Sequence, residues 1–252
     1  MINKLIEIFL LKEYENIRKI QKNIFYKEDN FSKSYEKLFT KDVDSIYIIS
    51  ALNKNSINIS NYKTEEHNYS EIYYLYVSLK SDKNITEINK IIHSIIPNPC
   101  IIILWYSDSI IISTATKRIS KNDKTKQVIE DYFITDKIDL EYQTDIEKEF
   151  IKDISLINNS FENFRRFYTD ISNKILIIKI SNLRWWYKKT SLENIWKLLE
   201  YYNEYKKLNI ELSSINTEYK NEISMWWKAI IYSKIVEKEK EIEKIKEDIK
   251  NI

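Results

Sequence analysis

The hydrophobic and polar positions follow their clearest pattern between residues 72 and 137, where the period changes from two to about 3.6 and back. Glu71–Leu79 alternates, and its aromatic and branched side chains suit a pleated strand. The stretch therefore predicts a β-strand with two distinct faces. One face has Tyr73, Leu75, Val77 and Leu79, and the other has Ile72, Tyr74 and Tyr76.

A helix is predicted next, because five isoleucines recur at helical spacing on a stripe that can pack on a sheet. Asn84 is expected to be the N-cap, with Glu87 as its partner in a capping box. Pro97 and Pro99 end the helix, since proline lacks an amide hydrogen and clashes with the preceding turn. The isoleucines are Ile85, Ile88, Ile91, Ile92 and Ile95.

Three further strands follow this helix. Cys100–Tyr106 is a short, unbroken apolar run, which predicts a central strand covered on both faces. Residues 107–109 predict a turn, residues 110–116 a returning strand and residues 128–135 a last strand. The order predicts an α/β (α+β) fold: a mixed, mainly antiparallel sheet with a crossover helix.

The segments before this stretch are predicted less sharply. Residues 2–27 have the apolar spacing of an amphipathic helix, docked on the domain or, as the alternative, on a membrane surface. Residues 31–39 predict a short helix. Residues 45–51 and 57–60 are strand candidates, and residues 61–69 predict a polar loop.

The C-terminal part predicts an α-helical extension with coiled-coil character. Residues 145–168 have a helical seam, and residues 175–180 fit either a strand or a buried helix. Thr190 and Glu193 predict a capping box for a helix ending near Tyr205. The seam then continues to the C-terminus, so we expect domains at residues 1–140 and 141–252, the second a coiled-coil hairpin or a docking helix for a partner. The later seam residues are Leu208, Leu212, Ile215, Tyr219, Trp226, Ile242, Ile245, Ile249 and Ile252.

Six short stretches, preceded by the aromatic-flanked residues 23–26, resemble the bacterial domain-of-unknown-function 4391 family in order and spacing. The resemblance covers about residues 22–140, although Thr116 stands where the family usually has an aromatic residue before its Lys-Arg pair. It implies no catalytic residue, but it implies a setting: restriction and phage-defence loci, beside DNA methyltransferases and helicases. The stretches are residues 56–59, Glu71–Leu79, and residues 95–97, 101–106, 116–118 and 131–135.

The absence of glycine excludes one class of site. Rossmann and Walker phosphate loops need glycine at fixed positions, so neither exists in this chain. Turns must use Asn, Asp and Ser, which tolerate the left-handed region best after glycine. The abundance of Ile, Lys, Asn and Tyr is typical of an AT-rich genome, so a lysine or tyrosine is a weak functional signal.

Charge and cysteine content narrow the setting. The 40 basic and 38 acidic side chains nearly cancel, so any nucleic-acid-binding surface must be local. The one cysteine, Cys100, is expected to be a buried thiol, as suits a reducing cytosol. Lys4 and Glu7 interrupt the first apolar segment, so no signal peptide is expected. We expect a cytoplasmic protein without a membrane partner.

No catalytic residue, metal site or cofactor is predicted. His67 lies in a polar loop and His93 on the polar side of the predicted helix, neither with a metal ligand at suitable spacing. Cys100 is expected to be too buried to act as a nucleophile. The enzymatic alternative is a metal-dependent nuclease built from carboxylates on or beside the strands. These carboxylates are Asp108, Glu130, Asp131 and Asp136.

Clusters of basic and aromatic residues are the stronger candidates, because such side chains neutralise phosphates and stack on unpaired bases. Four of the five arginines fall in three clusters, although each cluster could also be ordinary core or solvated surface. The third cluster has Arg165 and Arg166. The second has Arg184, Trp185, Trp186, Tyr187, Lys188 and Lys189, of which Arg184, Trp185 and Lys188 are the candidate contacts. The first surrounds a predicted hairpin end and has Lys117, Arg118, Lys121, Lys124 and Lys126.

We therefore expect a non-enzymatic accessory subunit of a bacterial DNA restriction or phage-defence complex. It would bind a helicase or methyltransferase through its C-terminal helices and contact DNA through the first and second clusters. The alternatives are the metal-dependent nuclease and a structural homodimer held by a coiled coil of the C-terminal helices.

Overall fold

The computed structural model describes residues 1–26, 31–124, 126–184, 186–188 and 190–252, with the backbone alone at Leu192. The described residues form two compact units, residues 1–178 and 179–252. The division lies beyond residue 140, because the helical segments that follow this residue pack on the sheet. The Tyr168 hydroxyl, for example, lies 2.9 Å from the carbonyl oxygen of Cys100.

A seven-stranded sheet organises the first unit. Its spatial order is β1-β2-β5-β6-β7-β8, with β9 also paired to β7, and β3 and β4 form a small separate sheet. Only β5 and β6 are parallel among the described strand pairs, as a crossover through a helix requires. The strands are β1 Glu15–Ile20, β2 Val43–Asn53, β3 Tyr62–Lys63, β4 Asn68–Tyr69, β5 Glu71–Leu79, β6 Cys100–Tyr106, β7 Ser109–Ile119, β8 Gln127–Ile134 and β9 Ile138–Asp139.

The helices cover both faces of the sheet and form most of the second unit. Two short 3-10 helices, Lys12–Tyr14 and Leu156–Asn158, lie among them. The α-helices are α1 Ile2–Ile8, α2 Lys22–Tyr26, α3 Lys33–Asp42, α4 Lys54–Ile57, α5 Ile85–Ile95, α6 Asp145–Asp153, α7 Phe164–Arg184, α8 Leu192–Asn221 and α9 Met225–Lys250.

The core follows the predicted alternation, and the mixed, mainly antiparallel fold is confirmed. Leu75, Val77 and Leu79 pack with α3 and α5 on one face of the sheet. Tyr74 points to the other face, where its ring lies 5.7 Å from that of Phe9. β6 is buried on both faces, because α5 covers one and the first part of α7 covers the other.

Several predicted elements differ from the structure. Residues 2–26 form short helices on either side of an edge strand, because the isoleucines that fit a helical stripe also fit the end of β1, and residue 27 lies outside the described residues. Residues 57–60 form no strand, and the helical segment 145–168 is broken after Asp153. The ambiguous residues 175–180 belong to α7.

The start of α5 differs from the predicted capping box. Asn84 has a left-handed backbone, φ 59°, and its side chain makes no capping bond to the helix. Instead its amide nitrogen donates to Asp42 at 3.0 Å, which ties α5 to the end of α3. A long-range hydrogen bond has replaced the local one.

The turn between β6 and β7 is built without glycine. Ser107 has φ 44° and Asp108 has φ 62°, which is the pair of left-handed residues that a tight type I′ hairpin needs. Both side chains are exposed. The predicted turn is confirmed, and Ser and Asp take positions that glycine and asparagine usually occupy.

In the second unit, α8 and α9 pack together as the predicted hairpin. Ile242, Ile245 and Ile249 are buried along α9, as the seam predicts. Lys238 crosses to Glu211 of α8 at 3.1 Å, a contact that fixes the register of the two helices. Trp226, which the seam places inside, is instead exposed. Within the described residues, no helix has the length and apolar character needed to cross a bilayer.

Candidate functional site

The first basic cluster lies at the hairpin end where β7 stops and β8 begins, as predicted. Lys121, Lys124 and Lys126 are exposed there. Arg118 is half-buried, and its Nε lies 3.8 Å from Glu130 of the facing strand. This hairpin end therefore offers three exposed ammonium groups together with neighbouring carboxylates, and its local charge is mixed.

Lys117 stands apart from the other cations of the first cluster. Only 3% of its surface is exposed, and its Nζ donates to the carbonyl oxygens of Ile96 and, at 3.2 Å, Asn98. These carbonyls follow the end of α5, where a cation is favoured by the helix dipole. Burial lowers the pKa of Lys117. Its ammonium caps a helix, so it has no surface to offer a phosphate.

The second and third clusters are also partly withdrawn from solvent. Arg184 is fully buried, and none of its nitrogens has a hydrogen-bond partner among the described residues. Lys188 is exposed, and Trp185 lies outside the described residues. Arg165 stacks on the ring of Tyr62 and donates to its hydroxyl at 2.8 Å, while Arg166 pairs with Asp170 at 3.4 Å. Among the described candidate contacts of the second cluster, Lys188 therefore reaches solvent and Arg184 does not.

The candidate nuclease carboxylates are on the surface and do not converge. Asp108, Glu130, Asp131 and Asp136 are exposed. Among the described residues, no group of three or more His, Cys, Asp or Glu side chains is arranged to hold a metal ion. The geometry that metal-dependent phosphodiester cleavage needs is therefore not assembled by these residues.

A buried relay of polar side chains lies under α5 and was missed from the sequence. His93 is buried against the sheet, so its predicted place on the polar side of the helix is wrong. Ser113 donates its proton to Asn89 at 2.7 Å, so towards His93 Nε2, 3.0 Å away, its oxygen can only accept. His93 Nδ1 is then left to accept from the Cys100 thiol at 3.4 Å. One neutral histidine tautomer, with its proton on Nε2, therefore gives both ring nitrogens a hydrogen-bond partner.

The electrostatics of this relay keep it neutral. Burial, and secondarily the nearby charge of Lys117, lower the pKa of His93 well below its usual range. Burial raises the pKa of the Cys100 thiol, against a smaller opposite effect of Lys117. A protonated thiol without access to solvent is a poor nucleophile. The relay therefore joins α5 to β6 and β7 and offers no reactive group.

Exposed apolar side chains are concentrated at the tip of the α8–α9 hairpin, which we call the aromatic tip (Ile223, Met225, Trp226 and Trp227). Their exposed fractions are 92, 82, 64 and 52%. The two tryptophan rings meet edge to face at 4.6 Å. Glu222 accepts from the amides of Ile223 and Ser224, each at 2.8 Å, and holds the turn. A sequence signal existed: two adjacent tryptophans cannot both lie on one helical seam.

Comparison with known proteins identifies the family of the chain. No curated protein and no solved structure matches it significantly. The profile of one family, described as "Domain of unknown function (DUF4391)", matches residues 12–249. The match extends beyond the resemblance seen at residues 22–140 and includes α8 and almost all of α9. The chain therefore belongs to the DUF4391 family over nearly its whole length.

Proposed function

We propose that the protein is a non-enzymatic accessory subunit that binds a partner protein through its C-terminal hairpin. The observation that supports this best is the aromatic tip. Four large apolar side chains lie together at the end of a hairpin whose own seam is already filled by Ile242, Ile245 and Ile249. Contiguous exposed apolar patches of this kind are uncommon on monomeric proteins, and they mark sites of interaction with a partner.

The residue types at the tip are those that dominate protein interfaces. Tryptophan and methionine are enriched in interface cores, and tryptophan is among the commonest hot-spot residues. Burying the side chains of Ile223 and Met225 would contribute about 1.5–3 kcal/mol each. The edge-to-face pair of Trp226 and Trp227 gives a partner one preformed surface, because each ring restricts the other.

The proposed partner is a methyltransferase or helicase subunit of a restriction or phage-defence system. This part of the proposal comes from the setting that the family resemblance implies. The exposed Lys121, Lys124 and Lys126 of the first unit would add a DNA contact to any contact that the partner itself makes with DNA. The nuclease alternative has less support, because among the described residues no group of three or more possible ligands is arranged to hold a metal ion.

The test is binding of the purified protein to any purified methyltransferase or helicase subunit whose gene neighbours its own. We expect the double substitution Trp226→Ala and Trp227→Ala to weaken the dissociation constant at least 30-fold, which corresponds to about 2 kcal/mol. Trp196→Ala is the matched control, since Trp196 is 71% exposed on α8 but lies outside the tip. Isothermal titration calorimetry gives both constants.

Other results would overturn the proposal. Absence of binding to either subunit, or an equal loss for Trp196→Ala, would show that the tip is not the contact. Sedimentation velocity of the protein alone gives a second outcome. A concentration-dependent dimer that the tip substitutions abolish would show that a second copy occupies the tip, and would favour the homodimer alternative.

A further inference from the structure

Strand β8 lies at an edge of the sheet with one side open. It pairs with β7 and, within the described part of the chain, with no other strand. The amides of Asp131 and Thr135 donate towards β7, at 3.0 and 2.9 Å. Backbone groups of an antiparallel strand alternate between its two sides, so those of Tyr132 and Ile134 point to the open edge. Ala115, opposite Tyr132, accordingly bonds elsewhere, to the Tyr168 hydroxyl.

A groove runs along this edge, between β8 and helix α5. Its volume is about 680 Å³, enough for two or three side chains. Apolar and aromatic side chains form its walls, namely Tyr35, Ile91, Ile129 and Tyr132. Glu87 and Lys90 stand on its α5 side. The groove therefore lies beside unpaired backbone donors and acceptors.

A β-bulge aims two residues of β8 into the groove. Ala115 pairs with Tyr132, and Lys117 pairs with Ile129, so β8 uses one more residue than β7 over this interval. Without the bulge, residues three positions apart would face opposite sides of the sheet. With it, Ile129 and Tyr132 both line the groove. The bulge thus builds a continuous apolar wall beside the open edge.

We propose that β8 and α5 bind an extended segment of a partner protein, which adds to the sheet as a further strand beside β8. The unpaired groups of Tyr132 and Ile134 would bond its backbone, and the groove would hold every second side chain. This site goes beyond the aromatic tip, which is in the other unit, and either site can exist without the other.

The charges on the edge select the chemistry of that segment. Glu130 and Asp131 are exposed in the middle of β8, and Arg118 lies 3.8 Å from Glu130 alone. A strand that alternates apolar with basic residues would fill the groove and meet these carboxylates. A second copy pairing through its own β8 would bring the same acidic residues close together, which disfavours self-pairing.

The probe is a fluorescein-labelled peptide of sequence Lys-Leu-Lys-Phe-Lys-Leu-Lys. We expect saturable binding in fluorescence anisotropy, and protection of the Tyr132 and Ile134 amides from hydrogen exchange. A peptide with alternate amides N-methylated, which cannot pair with a strand, should bind at least tenfold more weakly. A peptide with glutamate for lysine should also bind more weakly. Absence of binding, or equal binding of the N-methylated peptide, would overturn the proposal.

Two variants locate the site. Ile134→Pro removes one outward amide at an edge, where proline is tolerated, and should weaken peptide binding at least tenfold. Ile129→Lys puts a positive charge into the groove wall and should have a similar effect. Ile17→Lys, at the exposed edge strand β1, is the matched control. Unchanged binding by Ile134→Pro and Ile129→Lys would refute the site, and the Trp226→Ala, Trp227→Ala protein should bind the peptide normally.

Discussion

At the residue scale, burial decides what the polar side chains of this protein do. Lys117 and Arg184 belong to sequence clusters that favour phosphate binding, yet both are withdrawn from solvent. His93 has the sequence spacing of a solvated helix position, yet it links Cys100 to Ser113 inside the core. A residue's type sets the bonds it can make, and its burial decides whether a ligand or the fold receives them.

The buried His93 predicts a pH dependence of stability. Because its pKa is lowered in the folded state, the unfolded chain binds a proton below about pH 6.5 while the folded protein does not. Stability should therefore fall as the pH drops from about 6.5 towards the folded pKa, by up to about 1.4 kcal/mol per pH unit. Urea unfolding at pH 7, 6 and 5 measures this.

The substitution His93→Gln should flatten that dependence, because glutamine keeps hydrogen-bonding groups and does not titrate. His67→Gln is the control, since His67 is half-buried and its ring bonds to the Lys117 carbonyl rather than to the relay. The same slope in His93→Gln and in the unmodified protein would show that other groups cause the pH dependence.

Little of this residue-level chemistry could be predicted from the sequence. Cys100 was placed correctly in the core, because an unbroken apolar run leaves a side chain no route to solvent. The burial of Lys117 could not be predicted, since it depends on the bulge opposite Thr116 and on carbonyl groups just beyond a helix about twenty residues earlier in the chain. Such long-range contacts produce no periodic pattern in the sequence.

At the element scale, the tight turn between β6 and β7 is where the lack of glycine matters most. Asp108 holds φ 62°, a conformation that glycine adopts without steric cost. We expect Asp108→Gly to stabilise the protein by about 0.5–1 kcal/mol, because relief of this cost outweighs the added freedom of the unfolded chain. A higher urea midpoint at an unchanged m-value would show it.

The matched control is Asp44→Gly, an exposed aspartate inside strand β2. Its backbone is not left-handed, so glycine there should destabilise the protein by about 0.5–1 kcal/mol. If both substitutions lowered the urea midpoint, the left-handed backbone at Asp108 would not be a cost that glycine relieves, and the prediction would be wrong.

The elements themselves were predictable wherever one period persisted. The strand-helix-strand-strand-strand order follows from alternation in β5 and an isoleucine stripe in α5. Strand β1 was missed because Ile17 and Ile20 are three apart, a spacing that fits a helix and also a strand that crosses from exposed to half-buried. The break after Asp153 was missed because the apolar seam continues across a 3-10 helix.

At the scale of the whole molecule, near-neutral charge limits how DNA could be bound. The 40 basic and 38 acidic side chains leave only local clusters, of which the β7–β8 hairpin end is the most exposed. We expect weak binding to labelled duplex DNA at about 50 mM salt and little at about 200 mM. The substitutions Lys121→Ala, Lys124→Ala and Lys126→Ala together should lower the slope against log salt by about 0.9 per lost phosphate contact.

The control removes the same charge elsewhere, with Lys33→Ala, Lys37→Ala and Lys41→Ala on helix α3. An equal change of slope in both triple variants would mean that net charge, and not the hairpin end, governs the binding.

The division into units was not predictable, because the first part of α7 has the same helical pattern as the segments beyond it, although it packs on the sheet.

The cap that Lys117 places on α5 also has a consequence for the order of folding. The carbonyl groups of Ile96 and Asn98, just beyond α5, can bond to the Lys117 ammonium only after β7 has joined the sheet beside β6. We therefore expect the crossover unit of β5, α5 and β6 to form before these bonds to Lys117 are made. Contacts made after the rate-limiting barrier govern how slowly the native state is lost. We therefore expect Lys117→Met to speed unfolding in stopped-flow kinetics while leaving the folding rate nearly unchanged.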